Sequence, residues 1–550
     1  MASSPLTSRS ASKAAANDQK TSDAVQVVKE LAANELIFGV VGPVGSGTSE
    51  IAETLQEFIG KENSEILKAR EIIAENAPTL GKTIPDEPGI EQTIALQDAG
   101  DAMRLTNGHA SVAVGFIEKI RAKRADFKGE DASSEKAIKP DGNFRAYILD
   151  SLRHPAEVRL LRQIYQQSFC LIAVVCDEEV RASRLADKYD KAGKSAINTF
   201  MLRDEKASEK FGQQVSSTFH LADFFVENSQ DRILKRPGMQ DEANPDWTVD
   251  DELGRLVRIL RHDDIVRPRP NETAMYHAYG ARMRSMCLSR QVGAALMDAS
   301  GNLLATGTNE VPKAGGGVYG GTSDGFTDRD PDPAEDHRCA IHGGFCRNTK
   351  EQNQIIDDLA QSLDELPDTL DESLRKKIRS TRIGQLIEFS RAVHAEMDAL
   401  LSAAREGITT VGSRLFVTTY PCHNCARHIV AAGVDEVQFI EPYLKSKALP
   451  LHGDSITDRS KDWVPPSAIR EGIFVDGKPP IPQVLFRAFT GVAPRLYRKA
   501  FYKDRPLKDD LTGAMLEKFA ESDGEGVTNA LQISYSDVEA ILIKKSHGDG

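Results

Sequence analysis

RAVHAEMDALLSAAREGITTVGSRLFVTTYPCHNCARHIV, residues 391–430, carries both an element pattern and a chemistry. The stretch predicts a helix through Gln385–Arg405, a strand over Arg414–Thr419 and a second helix opening at Cys422. Cys422 and Cys425 lie three residues apart at that helix start, so both sulfurs can reach one metal from adjacent turns. A helix N-terminus also favours thiolate, because its backbone N–H groups and dipole stabilise negative charge. His394 would complete three protein ligands for Zn²⁺ and leave a fourth position open, the arrangement of a catalytic site; a structural knuckle would want a fourth His or Cys. Glu396, two residues beyond the histidine, can reach that open position without ligating the metal and can carry protons.

Outward from this core, a helix is expected at Thr273–Arg284 and strands at Val292–Met297, Leu303–Thr308 and Glu436–Glu441. A loop rich in glycine and acid runs from Lys313 to Glu335, a candidate lid over a site, and a charged helical insertion follows over Lys350–Arg379. The tail from Ile456 mixes proline-rich loops with a strand in QVLFRAF and a helix at Thr512–Ser522. Towards the N-terminus, ELIFGVVGPVGSGTSEIAETLQEFI (35–59) reads as a buried strand at Leu36–Val41, a glycine-rich turn at Gly42–Gly47 and a helix with Ile51, Leu55 and Phe58 on one face. Further strands are expected at Ala146–Leu152, at Cys170–Cys176 and near Ala222–Ser229, with a helix at Pro155–Gln167. Strands alternating with helices predict an α/β domain with a parallel sheet. The expected organisation is a disordered N-terminus (1–24), an α/β domain (25–240), a linker (241–270) holding a short amphipathic helix at Asp250–Arg261, a metal-binding α/β/α domain (271–455, insertion 313–380), and an extension (456–550) packing on that second domain.

Composition bounds the alternatives. The 550 residues are 40% hydrophobic and 27% charged, as a folded globular chain requires. The 69 Lys+Arg against 82 Asp+Glu give a net charge of −13, which argues against a dominant duplex-binding surface. Seven cysteines in a chain of this length are too sparse for a disulfide framework. MASSPLTSRSASKAAANDQKTSDA has no apolar stretch of the kind a signal peptide needs, and no run is long enough to span a bilayer, so the expected location is the cytoplasm.

The HAE…PCHNC pair is the H-x-E…P-C-x-x-C signature of zinc nucleobase deaminases. RSMCLSRQVGAALMDASGNLLATGTNEVP (284–312) resembles the first strands of deoxycytidylate deaminases, in Cys287, in the VGA at 292–294 and in the TGTN at 306–309. The resemblance implies that Asn309 binds the sugar or its neighbouring groups. Arg290 is either a phosphate contact, suited by its forked donors, or a surface ion pair. Tyr443 falls where that family often has an aromatic near the base; a core tyrosine is the alternative. His337, Cys339, His342 and Cys346 lie within DHRCAIHGGFC and could hold a second, structural zinc, or form a substrate-side loop. Cys287 reads as a small core residue.

Gly42–Ser49 (GPVGSGTS) resembles the Walker A pattern, with Thr48 in place of lysine. Gly42, Gly45 and Gly47 shape the loop, backbone N–H groups at Thr48 can cradle phosphate, Ser49 can offer a hydroxyl to Mg²⁺, and Asp150 resembles a Walker B acid, so ATP or GTP is the implied ligand. Cys176–Glu209 resembles the lid of nucleoside-monophosphate kinases, with Arg181, Arg184 and Lys188 as candidate cations. Nucleotide binding without transfer, an active kinase and a purely structural domain are the three readings. The combination resembles the bacterial anti-phage deoxycytidine-nucleotide deaminases, which convert dCTP and dCMP to dUTP and dUMP. That resemblance implies depletion of the nucleotide pool, regulation through the P-loop domain, homo-oligomers, and in some members control by a small RNA. The competing readings are a deaminase acting on tRNA or single-stranded DNA, a bifunctional kinase–deaminase, and a non-catalytic scaffold.

Overall fold

The computed structural model describes residues 33–132, 136–189, 193–205, 211–234, 241–262, 264–320, 336–363, 367, 369–443, 445–472, 480–503, 506–516 and 532–546. The expected disordered N-terminus, most of the proposed lid and part of the expected helix at 512–522 lie outside them. The chain divides into two units. The first comprises residues up to Arg267 together with those from Thr490, and the second is Pro268–Phe489. Both are mixed α/β with mainly parallel sheets. Among the described residues no helix is long and apolar enough to cross a membrane.

In the first unit the apolar run Glu35–Val41 forms β1, buried along its whole length. β2 (Ser64–Lys68), β3 (Arg145–Asp150), β4 (Phe169–Val175) and β5 (Phe224–Glu227) join it in the order β5-β4-β1-β3-β2, all parallel. Helix α1 (Thr48–Ile59) follows the glycine turn and buries Ile51, Ala52, Leu55 and Ile59. Phe58, expected on the buried face, is instead 47% exposed; its ring edge lies over Gly254, where a Cβ would come within 3.1 Å. Helix α2 (Val249–Arg261) places Leu253, Leu256 and Leu260 in the same core as Phe38, Val40 and Ile172. It is therefore part of the first unit's core and not a linker. Burial of each such side chain contributes about 1.5–3 kcal/mol.

The expected C-terminal extension is divided between the units. Ile456–Thr457 and Val484–Ala488 extend the second unit's sheet. From Thr490 the chain belongs to the first unit, where Gly491–Val492 pairs antiparallel with β5 and caps that sheet edge. The last helix, Gln532–Ser546, is fastened by a buried charge cluster. Arg124 donates from Nε and Nη2 to the two oxygens of Glu35 (2.9 Å each) and from Nη1 to Glu539 (2.6 Å). The Tyr165 hydroxyl donates to Glu539 (2.7 Å) and the Tyr535 hydroxyl to Glu35 (2.8 Å). Of the residues expected in a helix at 512–522, those described are not helical: Met515 bridges Lys508 and Gly513 takes φ 71°.

The second unit is a three-layer sandwich. β6 (Gly293–Met297) and β7 (Leu303–Thr308) form an antiparallel hairpin. β8 (Arg414–Thr419) pairs antiparallel with β6 and parallel with β9 (Glu436–Glu441), and β10 (Ile456–Thr457) and β11 (Val484–Ala488) complete the order β10-β11-β9-β8-β6-β7. Register places Gly293 opposite Thr308 and Ala294 opposite Gly307, so the two glycines face opposite sides. Helix α3 (Pro270–Arg282) lies on Gly293, where a Cβ would sit 2.0 Å from the Ala278 carbonyl oxygen. Helix α4 (Ala395–Arg405) lies on Gly307, where a Cβ would sit 2.0 Å from the Ala395 carbonyl oxygen. The helix expected to start at Gln385 thus begins ten residues later. Val393 is drawn into an extended bridge, its N–H donating to the Glu310 carbonyl (3.0 Å), and this ends any helix before His394. The insertion resolves into two helices, Arg347–Ser362 and Glu372–Arg379.

Replacing Arg124 with Met would strand two buried carboxylates without a cation, a loss of about 3–5 kcal/mol. In urea unfolding of the full chain, the transition of the first unit is expected to move to lower denaturant while that of the second stays in place.

Candidate functional site

Strand polarity gathers one set of loop ends. β8 and β9 end, β7 ends and β6 begins at the same edge of the second sheet, because β6 runs antiparallel to both β7 and β8. Ligands of such sheets sit at the carboxyl ends of parallel strands. His394 is the N-cap of α4, and Cys422 is the N-cap of helix α5 (His423–Ala431), its Sγ accepting from the Cys425 N–H (3.5 Å). Two helix N-termini therefore face one point. His394 Nδ1 lies 3.3 Å from the Sγ of Cys422 and 3.3 Å from that of Cys425.

The three donor atoms lie within 4.8 Å of one another, and both cysteines are buried. One imidazole and two thiols at these separations match the donor chemistry that tetrahedral Zn²⁺ takes. The electrostatics suit a cation as well. The Cys422 thiol is pulled down to about 4, chiefly by hydrogen bonding from Cys425 and also by His394. His394 is raised to about 9 by its hydrogen bond with Cys422, and Cys425 is pushed far up by Cys422 and by burial. The cluster thus holds its negative charge by sharing protons, and a metal would take their place. Glu396, in the first turn of α4, is 4% exposed and its carboxyl is raised to about 7, mainly by burial.

The loop before β6 is fastened by the residues after β7. Asn309 donates from Nδ2 to the Arg290 carbonyl (2.7 Å) and accepts from the Val292 N–H at Oδ1 (2.6 Å). Its amide is thus a brace for the segment that carries Arg290. The buried Glu310 carboxylate accepts from the N–H groups of Met286 (2.7 Å) and Val311 (2.9 Å). Arg290 is 45% exposed on its side chain, 4.0 Å from Glu441, with its guanidinium carbon 5.7 Å from the Tyr443 ring centroid. Tyr443 is half-buried against the second core. Burial raises its hydroxyl, the Cys422 charge adds to that and Arg290 opposes it. Sequence reasoning did not single out Glu310, Glu441 or Arg282. The one available signal for Glu441 was its place at the carboxyl end of an expected strand.

Of the second-metal candidates, the rings of His337 and His342 stand 5.1 Å apart, while Cys339 and Cys346 line a small cavity with Cys287. Among the described residues, His394, Cys422 and Cys425 form the one group of three or more His, Cys, Asp or Glu donors close enough to hold an ion.

In the first unit, Gly45 (φ 82°) and Gly47 (φ 85°) take the left-handed conformation the turn between β1 and α1 needs. Ser49 Oγ donates to Asp150 (2.6 Å), which ends β3 beside β1, so the loop, hydroxyl and acid meet at the carboxyl edge. Ser46 Oγ is buried beside Gly42 with no hydrogen-bond partner. Arg184 is committed to the carbonyls of Asn228 (2.8 Å) and Gln230 (3.0 Å), and Lys188 lies over Tyr189. Arg181 is buried, and its backbone carbonyl lies 2.8 Å from where a Cβ on Gly45 would be. Thr48 opens α1 without a side-chain cap from Gly47 before it.

Residues 268–441 match the family described as the cytidine and deoxycytidylate deaminase zinc-binding region. The chain is 30% identical to the deoxycytidylate deaminase of Enterobacteria phage T4 over 179 residues, 32% of this chain and 79% of that protein. It is 41% identical to ComE operon protein 2 of Bacillus subtilis (strain 168) over 54 residues, 10% of this chain and 29% of that protein's length. The solved dCMP deaminase of cyanophage S-TIM5 aligns with 34% of this chain at 21% identity and a TM-score of 0.19.

The purified chain is expected to carry one zinc per molecule by native mass spectrometry. Cys422→Ser should lower that to near zero, and Cys346→Ser should leave it at one.

Proposed function

The chain belongs, through its second unit, to the deoxycytidylate deaminase family, and from that premise we propose that it hydrolyses free deoxycytidine nucleotides, dCMP or dCTP, to the deoxyuridine nucleotides and ammonia. The observation that carries the reading is the His394/Cys422/Cys425 cluster, with both cysteines buried and the buried Glu396 beside it at the sheet edge. A zinc ion held there supplies Lewis-acid activation of water. The chain's own residues do the rest. Glu396 takes a proton from the attacking water and delivers it to N3 of cytosine; it then takes the proton of the hydroxyl now on C4 and passes it to the amine, which leaves as ammonia as the C4 carbonyl forms. Burial keeps that carboxyl close to neutrality in affinity, which suits a group that must both accept and release protons. Asn309 holds the Arg290 segment against the site, and Arg290 is the contact for the nucleotide phosphate.

The first unit is proposed as a nucleotide-binding, regulatory half. Its support is the strand–glycine turn–helix at the carboxyl edge of a parallel sheet, with Ser49 and Asp150 joined there as the residues that would hold Mg²⁺. With Thr48 in the lysine position, the loop lacks the cation that neutralises a transferring phosphoryl group, so ATP or GTP would be held without efficient transfer. Depletion of deoxycytidine nucleotides during phage infection, with control by a small RNA, follows from the resemblance of the combined halves and extends the same proposal.

Three measurements test these readings. Incubation with dCMP, dCTP, CMP, CTP and a cytosine-containing single strand should give product from the free deoxycytidine nucleotides. Turnover of the strand alone would replace the reading with polynucleotide deamination. Glu396→Ala should keep its zinc and lose about 10²–10⁴-fold in kcat; a fully active variant would remove the carboxylate from the mechanism. For the first unit, calorimetry of the full chain with ATP or GTP and Mg²⁺ should show binding that Ser49→Ala weakens. Absence of heat with every nucleotide would leave that unit a structural role only.

A further inference from the structure

Beside the metal ligands, two guanidinium groups meet one carboxylate. Arg282, at the end of α3, places Nη1 2.6 Å from Oε1 of Glu441, at the end of β9. The other oxygen, Oε2, accepts from the Thr419 hydroxyl at 3.4 Å and lies 4.0 Å from Nη1 of Arg290. Glu441 is 12% exposed and Arg282 27%, against 45% for Arg290. The carboxylate is thus fully engaged with Arg282 and only loosely with Arg290, and the group of three carries one net positive charge. Arg290 is the more exposed of the two guanidinium groups, and its carbon lies 5.7 Å from the Tyr443 ring centroid. Its backbone is fixed from the other side, since Asn309 holds both the Arg290 carbonyl and the Val292 N–H.

We propose that Arg282 and Glu441 are positioning residues for phosphate recognition: Arg282 saturates Glu441, so that Glu441 aims the Arg290 guanidinium at the substrate's phosphate without neutralising it. The inference rests on the reading that the substrate is a free nucleotide. Without Arg282, Glu441 becomes a full-strength competitor for Arg290. The 4.0 Å pair then closes to a contact pair, and the fork that would donate to two phosphate oxygens is occupied by a carboxylate of the same shape. Without both Arg282 and Glu441, Arg290 loses its aim but keeps its charge.

The experiment is a double-mutant cycle in the full-length holoenzyme, with dCMP and unphosphorylated deoxycytidine as parallel substrates. Arg282→Gln should raise KM for dCMP about tenfold with kcat within about twofold of the parent, and should leave kcat/KM for deoxycytidine unchanged. Adding Glu441→Gln to it should bring KM for dCMP back to within about threefold of the parent. A purely structural role for Arg282 predicts otherwise, with both substrates affected alike and no recovery in the double variant, and that result overturns the proposal. An Arg282→Gln enzyme with unchanged KM for dCMP overturns it too, while leaving the deaminase reading intact. A parent enzyme that acts only on cytosine within a strand removes both, because no terminal phosphate then docks at Arg290.

Discussion

The second unit is organised by two places where helix backbone touches strand backbone. At Gly293 and Gly307 the room left by a missing Cβ is taken by α3 and α4, with carbonyl oxygens 2.0 Å from where that Cβ would be. No larger residue fits without moving a helix. Because the glycines face opposite sides of the sheet, they fix the sandwich from both faces at the edge where β6 begins and β7 ends. α4 carries His394 and Glu396 at its first turn, and α3 ends at Arg282. A displacement of α4 would carry the imidazole away from two sulfurs that lie only 3.3 Å from it. The VGA and TGTN motifs are therefore geometric requirements of the site as much as chemical ones.

Both units place a helix N-terminus just beyond a parallel strand, and they use it differently. After β1, glycines turn the chain so that backbone N–H groups and the Ser49 hydroxyl open α1 beside Asp150. After β8, Pro421 and Cys422 turn the chain into α5, and the exposed donors stabilise a sulfur anion. The macrodipole favours negative charge in both cases. What the loop side chains supply decides what such an end can hold: thiols suit a soft cation, and small and hydroxylic residues would suit the phosphate oxygens proposed for the first unit.

The features legible in the sequence were those encoded over short distances. β1 and β6–β9 were readable because buried strands leave apolar runs, and the metal ligands because two spacings, HAE and CHNC, are local. Periodicity failed where a tertiary bond decides the outcome. The stretch 385–393 has helical character, yet Val393 pairs with Glu310 and the helix waits for His394. Gly491–Val492 is too short to leave a pattern, although it moves the last part of the chain into the first unit. α2 read as a linker helix because the proline-rich flank hid its burial against Phe38 and Val40. Arg282 and Glu441 are 159 positions apart, and no local signal links them.

The charge of the whole chain bears on why Arg290 is held as it is. At −13 the protein offers no long-range attraction to an anionic ligand such as the proposed nucleotide. At physiological salt, charges beyond about 8 Å are largely screened, so on the proposed reading whatever attracts a substrate phosphate must act at contact range. A flexible arginine in solvent gains little from such a contact once its own ordering is subtracted. An arginine braced through its backbone by Asn309 and set near Tyr443 and Glu441 would, on the proposed reading, give up less freedom on binding. On the proposed reading, selectivity for a phosphorylated substrate in an acidic chain would depend less on how many cations line the site than on how completely the nearby carboxylate is occupied by another partner.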